Sequence, residues 1–232
     1  MGMMTFRPGQ RLVIPGVQVF APGVASSAAS TWWDNNGAIS GCVAAYAAKG
    51  ATSLAASYTN LTGNATYDAA PGVAPTWDTT GGWTFNGSSQ YLLTNVVPAA
   101  AYSMIMRFSN RVTGEAACAV SGQNTRFGFD WSGAALIYYY GSGTTGRSVT
   151  GNPSSGVVAL CATQGYLNGL ADGAPTPNIW SGTATQVAIG ARNLNGTTRD
   201  TFGNLKVQAL AIYSVTLTGT QVATITTAMQ AL

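Results

Sequence analysis

The stretch of sequence that decides the fold is Gly82-Trp83-Thr84-Phe85-Asn86-Gly87-Ser88-Ser89-Gln90-Tyr91-Leu92. Two short runs rich in apolar residues, 83–85 and 91–93, flank the pair Asn86-Gly87. Asn and Gly tolerate the positive φ angles of two-residue turns, and this pair between apolar runs is typical of a tight hairpin. We therefore predict that the two runs form a β-hairpin, and that the regular, strand-by-strand part of the chain begins here.

Short apolar or alternating segments continue toward the C-terminus, separated by turns rich in Gly. A second pair of this kind, Asn168-Gly169, predicts another hairpin. The expected strands after the opening stretch are residues 101–108, 116–120, 126–131, 136–140, 157–162, 165–167, 170–174, 187–190 and 202–213. Short strands at this spacing favour a β-sandwich or a barrel.

Two of these strands carry a pattern that assigns their faces, because residues at alternate positions of a strand share one face. In the strand 101–108, the residues expected on one face are Tyr102, Met104, Met106 and Phe108. In the strand 202–213, they are Leu205, Val207, Ala209, Ala211 and Tyr213. We expect each set to pack together as one row.

The chain closes on a predicted helix over residues 218–232. Thr218 and Gln221 have the spacing of a capping box, in which a hydroxyl caps the first turn and a Gln side chain reaches back. One helical face carries Val222, Ile225, Met229 and Leu232. We expect that face to pack on the sandwich, since burying apolar side chains is favourable.

The first thirty residues have a different rhythm. Pro-Gly recurs at Pro8-Gly9, Pro15-Gly16 and Pro22-Gly23, and this pair is the signature of type II turns. We divide the chain into an N-terminal arm, residues 1–30, and a sandwich, residues 31–232. The arm is either a meander packed on its own domain or a segment that docks on a neighbouring subunit. The second interpretation assigns subunit contacts to Arg11, Leu12, Val13, Ile14, Val17, Val19 and Phe20.

Composition limits the partners. Only 7% of the 232 residues are charged and the net charge is +3, against roughly 25% charged residues in an average soluble protein. No clustered basic stripe is present, so we predict no nucleic-acid partner. No apolar run reaches the roughly 20 residues of a membrane span, and the N-terminus has no run that suits a signal peptide. We therefore predict no membrane contact, and a weakly charged surface that opposes self-association little.

The residues that catalysis needs are few. Histidine, the commonest general base, is absent. Glycosidases use two carboxylates a short distance apart, whereas Glu115 is the only glutamate and the six aspartates are scattered. Cys42, Cys118 and Cys161 lie far apart and in no CxxC pattern, so they predict neither a disulfide framework nor a zinc site. We predict that the chain is not an enzyme and has no catalytic residues.

Four segments together resemble the concanavalin A-like, laminin-G-type β-sandwich over residues 42–232. Residues 83–92 are similar to the family's F-x-G-x-x-x-Y-L strand pair, and residues 102–108 to the strand that follows it. Residues 165–169 resemble its Y-x-N/D-G hairpin, and residues 190–218 its G…F-x-G-x-I…I-Y…L-T ending. The resemblance implies an all-β, antiparallel two-sheet jelly-roll sandwich, here with an extended N-terminal arm and one C-terminal helix.

The wider layout, including Trp32-Trp33 and the apolar run 41–46, resembles laminin-G-like proteins of tailed bacteriophages. That resemblance implies a non-enzymatic structural protein on the virion surface, as a capsid decoration or a component of the tail or fibre. Its partners would be copies of itself and other virion proteins, contacted through the arm. The alternative hypothesis is a glycan-binding module used in host attachment, with a cell-surface glycan as its partner.

Aromatic side chains are the candidate contacts of the glycan hypothesis. They are Trp32, Trp33, Trp131, Tyr139 and Trp180. Neighbours in a strand point to opposite faces, so Tyr139 is expected to face away from Tyr138 and Tyr140. For each of these residues, packing in the core or a subunit contact is the alternative interpretation.

Calcium is the one cofactor that the laminin-G resemblance suggests, because many such domains bind Ca²⁺ at one rim of the sandwich. Loop oxygens that fit this role belong to Asp172, Asp200, Asn193 and Asn195. Asp and Asn in loops more often hold turns, so the main prediction is no cofactor and no metal.

Overall fold

The computed structural model describes residues 13–14, 17–18, 31–112, 116–121, 125–132, 135–142, 145–148, 150–175, 180, 182 and 184–232. By its internal contacts the chain divides into two compact units, Met1–Ser30 and Thr31–Leu232. In the first unit, the strands Val13–Ile14 and Val17–Gln18 pair antiparallel, with Ile14 opposite Val17. The other elements belong to the second unit.

The second unit is built almost entirely from strands. The two strands of the first unit are numbered β1 (Val13–Ile14) and β2 (Val17–Gln18). The strands of the second unit are β3 (Cys42–Ala47), β4 (Ala70–Val73), β5 (Thr76–Asp78), β6 (Gly82–Thr84), β7 (Tyr91–Leu93), β8 (Ser103–Ser109), β9 (Ala116–Ser121), β10 (Thr125–Ser132), β11 (Ala135–Ser142), β12 (Thr145–Arg147), β13 (Gly156–Cys161), β14 (Gln164–Leu167), β15 (Leu170–Gly173), β16 (Ala188–Ile189), β17 (Arg192–Asn193), β18 (Arg199–Asp200) and β19 (Lys206–Tyr213). The helices are α1 (Leu54–Ser57), α2 (Gly219–Gln230) and a 3-10 turn, Ala65–Tyr67. Neither α-helix of the described chain is long and apolar enough to cross a bilayer.

Two large sheets form the sandwich of the second unit. The six-stranded sheet has the order β12-β11-β10-β9-β17-β18, and the eight-stranded sheet has the order β15-β14-β13-β8-β19-β6-β5, with β3 also paired to β19. A third, smaller sheet has the order β16-β7-β4. All described pairings in these sheets are antiparallel except β17 with β9. The predicted all-β sandwich with one C-terminal helix is confirmed.

The main core lies between the two large sheets. From the eight-stranded sheet, Met104, Met106 and Phe108 of β8 point into it; from the six-stranded sheet, Phe127 and Phe129 of β10 do the same. Ile105, between the two Met residues of β8, points to the opposite face and joins a second core. The predicted row in β8 is therefore confirmed, and the eight-stranded sheet is covered on both faces.

The second core contains the C-terminal helix. Thr218 and Gln221 form both hydrogen bonds of the predicted capping box. Val222, Ile225 and Met229 are buried under α2. The guanidinium of Arg107, on β8, donates from Nη1 to the carbonyl of Met229 at 2.6 Å, which places a cation at the negative end of the helix dipole.

The predicted row in β19 is wrong at one point. A register shift between Val207 and Ala209 interrupts the pairing with β8. Leu205 and Val207 therefore join the main core, whereas Ala209, Ala211 and Tyr213 join the second one. A β-bulge inserts one residue and so exchanges the two faces of a strand beyond it.

The opening stretch also folds differently from the prediction, because its two runs do not pair with each other. β6 pairs with β5 and β19 in the eight-stranded sheet, whereas β7 pairs with β4 and β16 in the small sheet. Asn86 Oδ1 accepts from the backbone N–H groups of Ser88 and Ser89, both at 3.0 Å, and so holds a loop instead of a tight turn. Phe85 and Leu92 still reach the same core.

The second predicted hairpin is confirmed. Leu167 of β14 lies opposite Leu170 of β15. Asn168 and Gly169 between them both have positive φ, 50° and 82°, as a two-residue type I′ turn requires.

Candidate functional site

The candidate site lies beside the edge of β3 that pairs with no other described strand. This strand pairs with β19 along one edge, and along the other edge the side chain of Asn60 takes the place of a strand. Asn60 Oδ1 accepts from the N–H of Ala45 at 2.9 Å, and Asn60 Nδ2 donates to the carbonyl of Val43 at 3.0 Å. The same side chain bonds Thr62 N and Asn64 O within its own loop. Asn60, only 2% exposed, thus fixes the loop that forms one wall of the site.

The opposite wall is the turn between residues 31 and 41. Asn35, Asn36 and Gly37 all have positive φ, conformations that these residue types adopt most readily. The N–H of Ile39 donates to the carbonyl of Asp34 at 2.8 Å and closes the turn. The hydroxyl of Tyr213, at the end of β19, donates to the carbonyl of Trp33 at 2.5 Å. A side chain 180 residues away therefore sets the position of Trp33.

Between the two walls lies an open cleft of about 510 Å³, which we call the Trp33 cleft. Its lining residues are Thr31, Trp33, Asp34, Gly37, Ile39, Ser40, Gly41, Cys42, Leu61 and Thr62. The half-buried ring of Trp33 meets the buried ring of Trp32 edge-on, with centroids 5.7 Å apart. Volumes of roughly 300–1,000 Å³ and a mixed aromatic and polar lining are typical of small-molecule sites.

Three polar groups of the Trp33 cleft have spare hydrogen-bonding capacity. Asp34 Oδ1 accepts from the hydroxyl of Thr31, but no donor of the described chain contacts Asp34 Oδ2. The indole N–H of Trp33 and the hydroxyl of Ser40 likewise have no partner among the described residues. The lining of the cleft therefore includes an aromatic ring, a donor, an acceptor and a hydroxyl.

The thiol of Cys42, which also lines the cleft, stays protonated at neutral pH. Burial, followed by the nearby Asp34 carboxylate, raises the pKa of Cys42 to about 12. A thiolate is the nucleophilic form of cysteine. Cys42 thus contributes a small apolar surface to the cleft, not a reactive group.

Two other tryptophans proposed as glycan contacts are buried, and those predictions are wrong. Trp131 has no exposed surface and packs in the main core against Phe108, with ring centroids 4.8 Å apart. Trp32 is 5% exposed and belongs to the second core. Alternation along β10 turns Trp131 inward together with Phe127 and Phe129.

Trp180 and Tyr139, the other two aromatic residues proposed as glycan contacts, differ in how much of each ring is exposed. Trp180 is half-buried, and its ring contacts Tyr140 and Phe127, with centroids 5.2 and 6.2 Å away. Tyr139 faces away from Tyr138 and Tyr140, as predicted: those two lie in the main core and Tyr139 does not. It is nevertheless only 6% exposed, so its ring is not available for stacking on a sugar.

Tyr139 belongs to a group of ionisable side chains on the outer face of the six-stranded sheet. This outer-face cluster consists of Arg126, Asp130, Tyr139, Arg192 and Asp200. The guanidinium of Arg126 lies 4.9 Å from the centre of the Tyr139 ring. Arg192 and Asp200 form a two-pronged ion pair, with distances of 2.7 and 2.5 Å. Burial and the Asp130 carboxylate raise the pKa of Tyr139 to about 12.

The loop oxygens considered for calcium are engaged elsewhere. Asp172 is buried and accepts from the hydroxyl of Tyr138 at 2.8 Å and from Thr150 N at 2.8 Å. Asp200 pairs with Arg192. The side chains of Asn193 and Asn195 hold the turn around Gly196. Among the described residues, no group of three or more acidic, Cys or His side chains is arranged to hold a metal.

The remaining predicted positions bear on the arm. Arg11, Leu12, Val19 and Phe20 lie outside the described residues, while Val13, Ile14 and Val17 form the β1–β2 pair. Conversely, the sequence did not single out Asp34, Ser40 or Asn60 for this site. Asp34 follows Trp33 directly, which was a usable signal, but nothing local in the sequence announces that Asn60 lies on the edge of β3.

Known proteins resemble this chain in structure and not in sequence. No family model matches the chain, and no curated protein matches it. Among solved structures, a Trypanosoma rangeli sialidase in complex with sialic acid matches with a TM-score of 0.58 and 14% identity. A mutant of this sialidase that displays trans-sialidase activity gives a TM-score of 0.56, also at 14% identity.

Coverage shows which part of each protein is similar. The sialidase match covers 80% of this chain but 32% of the sialidase, so the chain spans about a third of that enzyme's length. Domain 4 of AbnA, a GH43 extracellular arabinanase from Geobacillus stearothermophilus in complex with arabinotriose, is covered over 98% of its length. That match covers 80% of this chain at 17% identity, with a TM-score of 0.50. At these identities the likeness shows the fold.

The comparisons correct the main functional prediction. The similar structures named above are those of a sialidase, of its mutant and of an arabinanase domain. None of the three is a component of a virion, which points away from a structural part of a phage virion. The virion prediction relied on a resemblance in the layout around Trp32-Trp33 and residues 41–46, together with low charge, a Pro-Gly-rich arm and the lack of a catalytic set. A fold and a composition of this kind are compatible with many functions because they do not define a site. What the chain shares with these structures is a jelly-roll-like β-sandwich.

Proposed function

We propose that the sandwich is a non-catalytic glycan-binding module that holds a saccharide in the Trp33 cleft. One observation carries this proposal: the half-buried indole of Trp33 lines one open cleft together with the Asp34 carboxylate and the Ser40 hydroxyl. The indole N–H, Asp34 Oδ2 and that hydroxyl have no partner among the described residues. A sugar ring has a C–H face that stacks on an indole, and hydroxyl groups that both donate and accept hydrogen bonds. The cleft offers a partner for each of these features.

The similar solved structures support saccharides as the ligand class. The sialidase was solved with sialic acid and the arabinanase domain with arabinotriose. Their low identity to this chain transfers neither the ligand nor the location of the site. The ligand class is thus a proposal that the Trp33 cleft supports independently through its own groups.

A binding role without catalysis follows from the carboxylates. Glycoside hydrolysis in most families uses a pair of Asp or Glu residues that flank the scissile bond. Among the residues that line the Trp33 cleft, Asp34 is the one carboxylate. We therefore propose that the module retains its glycan and does not cleave it.

Two finer assignments are also proposals. We propose that the sandwich is of the laminin-G type, on the basis of the four motifs between residues 83 and 218. We also propose that residues 1–30 act as an arm distinct from the sandwich.

The test is direct binding of the full chain to an array of oligosaccharides, followed by calorimetric titration of the best ligand. We expect Trp33→Ala to lower the affinity for that ligand by at least about 30-fold, since truncating an aromatic anchor commonly costs 2 kcal/mol or more of binding free energy. Circular dichroism establishes that the variant is folded. Trp180→Phe is the matched control, because Trp180 is the other half-buried tryptophan proposed from the sequence.

Two results contradict the proposal. The absence of any binding to a broad array would overturn glycan recognition itself. Equal affinities of Trp33→Ala and wild type, with a loss in Trp180→Phe, would move the site from the Trp33 cleft to Trp180.

A further inference from the structure

The Trp33 cleft carries negative charge only. Of its ten lining residues, Asp34 is the one with a charged side chain. The Cys42 thiol is neutral because burial raises its pKa to about 12. The remaining lining side chains are hydroxyls, apolar groups and the indole of Trp33. A ligand in the cleft therefore meets a single negative charge.

The carboxylate of Asp34 is held in a defined position. The hydroxyl of Thr31 donates to Oδ1, and the backbone of Asp34 is fixed by bonds from its N–H to the carbonyl of Thr31 and from Ile39 N to its own carbonyl, at 3.2 and 2.8 Å. The other carboxylate oxygen, Oδ2, has no donor within the described residues. This oxygen can accept a hydrogen bond that a ligand supplies.

A sugar hydroxyl supplies such a bond and a sugar carboxylate does not. At neutral pH an ionised carboxyl group only accepts hydrogen bonds, so opposite Asp34 Oδ2 it leaves two acceptors facing each other. The two negative charges also repel, and more strongly where part of the water is displaced. The net charge of +3 attracts anions at long range, but salt screens that attraction over roughly 8 Å at physiological ionic strength.

We infer that the ligand of the Trp33 cleft is an uncharged, hydroxyl-rich saccharide, and that Asp34 makes the cleft discriminate against sugar acids. This inference rests on the proposed glycan-binding function and deepens it. It separates the present chain from the similar sialidase, whose ligand, sialic acid, carries a carboxylate. Asp34 is then the residue that determines specificity, while Trp33 supplies the stacking surface.

The experiment uses matched pairs of saccharides that differ by a carboxylate. The pairs are trisaccharides of glucose, galactose and mannose with their terminal uronic-acid counterparts, together with lactose and sialyllactose. We expect the neutral member of at least one pair to bind the wild type about tenfold more tightly or better, which corresponds to about 1.4 kcal/mol. In Asp34→Asn the ratio is expected to fall below about threefold, because Asn keeps an acceptor and loses the charge.

Two further measurements keep the test decisive. Asp200→Asn removes a carboxylate outside the cleft and is expected to leave the ratio unchanged. In the wild type, the ratio is expected to shrink when salt is raised from about 20 mM to about 500 mM, since screening weakens the repulsion. That measurement needs no variant, so it holds even if Asp34→Asn misfolds.

The outcomes separate the two proposals. Equal or tighter binding of the acidic members to the wild type overturns the inference, and so does a ratio that Asp34→Asn and salt both leave unchanged. No binding of either member of any pair, with no hit on the broader array, counts against glycan recognition itself.

Discussion

The Trp33 cleft and the outer-face cluster are two sets of polar side chains on the same sandwich. They differ in whether these side chains already have hydrogen-bond partners in the protein. In the outer-face cluster, Arg192 is bound to Asp200 through two hydrogen bonds and Arg126 lies over the ring of Tyr139. In the Trp33 cleft, an indole N–H, a carboxylate oxygen and a hydroxyl have no partner in the described chain. The arginines of the outer-face cluster are engaged by neighbouring side chains, whereas the Trp33 cleft keeps hydrogen-bonding groups available to a ligand.

The difference shows that residue type is a poor guide to a binding site. Arg, Asp and Tyr in one cluster look more functional than Trp, Ser and a single Asp. However, Tyr139 and Asp130 are 6% and 4% exposed, so a ligand finds little surface there. Spare hydrogen-bonding capacity next to an accessible aromatic ring is the feature that points to a ligand.

The largest expected effect contrasts the two tryptophans proposed for the same role. Trp131→Ala removes a fully buried side chain from the main core and is expected to lower the free energy of unfolding by about 3–5 kcal/mol. Trp33→Ala, at the half-buried rim, is expected to cost less stability and to abolish most glycan binding. Urea denaturation of both variants measures the contrast, and comparable losses of stability would show that Trp33 is a core residue.

A smaller loss of stability is expected at the wall of the cleft. Asn60→Ala leaves the N–H of Ala45 and the carbonyl of Val43 on the β3 edge without their partner, which is expected to cost about 2–3 kcal/mol. Hydrogen exchange is expected to increase in residues 60–64. Asn195→Ala is the control, since Asn195 holds an exposed turn away from β3; an equal cost in both variants would contradict the role of Asn60.

The positioning of Trp33 by Tyr213 gives an effect on affinity. Tyr213→Phe deletes the hydrogen bond to the carbonyl of Trp33 and is expected to cost about 1 kcal/mol of stability, together with several-fold weaker glycan binding. Tyr140→Phe deletes an equivalent bond, to the carbonyl of Ala100 at 2.7 Å, and neither residue lines the Trp33 cleft. The interpretation fails if calorimetry finds that the two variants bind the glycan with the same affinity.

The smallest effect is expected in the outer-face cluster. The ion pair with Arg192 lowers the pKa of Asp200, so the stability that it contributes is present above the unfolded-state pKa, near 4, and is lost as the pH falls through the lower folded-state pKa. The side chain of Asp200 is 39% exposed, and such pairs contribute at most about 1 kcal/mol. Asp200→Asn is expected to reduce stability slightly at pH 7, to flatten its dependence below pH 4 and to leave glycan binding unchanged. A loss of binding would make the outer-face cluster part of the site.

Three features that depend on neighbours in sequence were predicted correctly. The capping box of Thr218 and Gln221, the turn at Asn168-Gly169 and the row Met104, Met106 and Phe108 all formed as expected. Each depends on residues within a few positions of one another, whose geometry a helix or strand fixes. Sequence alone therefore determined the β-sandwich class, the C-terminal helix and the inward face of β8, whereas the bulge in β19 exchanged the faces of that strand.

Partners that are distant in sequence were decided by the tertiary structure. β6 and β7 look like one hairpin, but β19 offers β6 a place in the eight-stranded sheet, while Phe85 and Leu92 still reach the same core. The Trp33 cleft requires Asn60 on the β3 edge and the hydrogen bond from Tyr213 to the carbonyl of Trp33, and no local pattern encodes these contacts. Burial likewise separated Trp33 from Trp131, since identical side chains differ in function only through the surfaces that cover them.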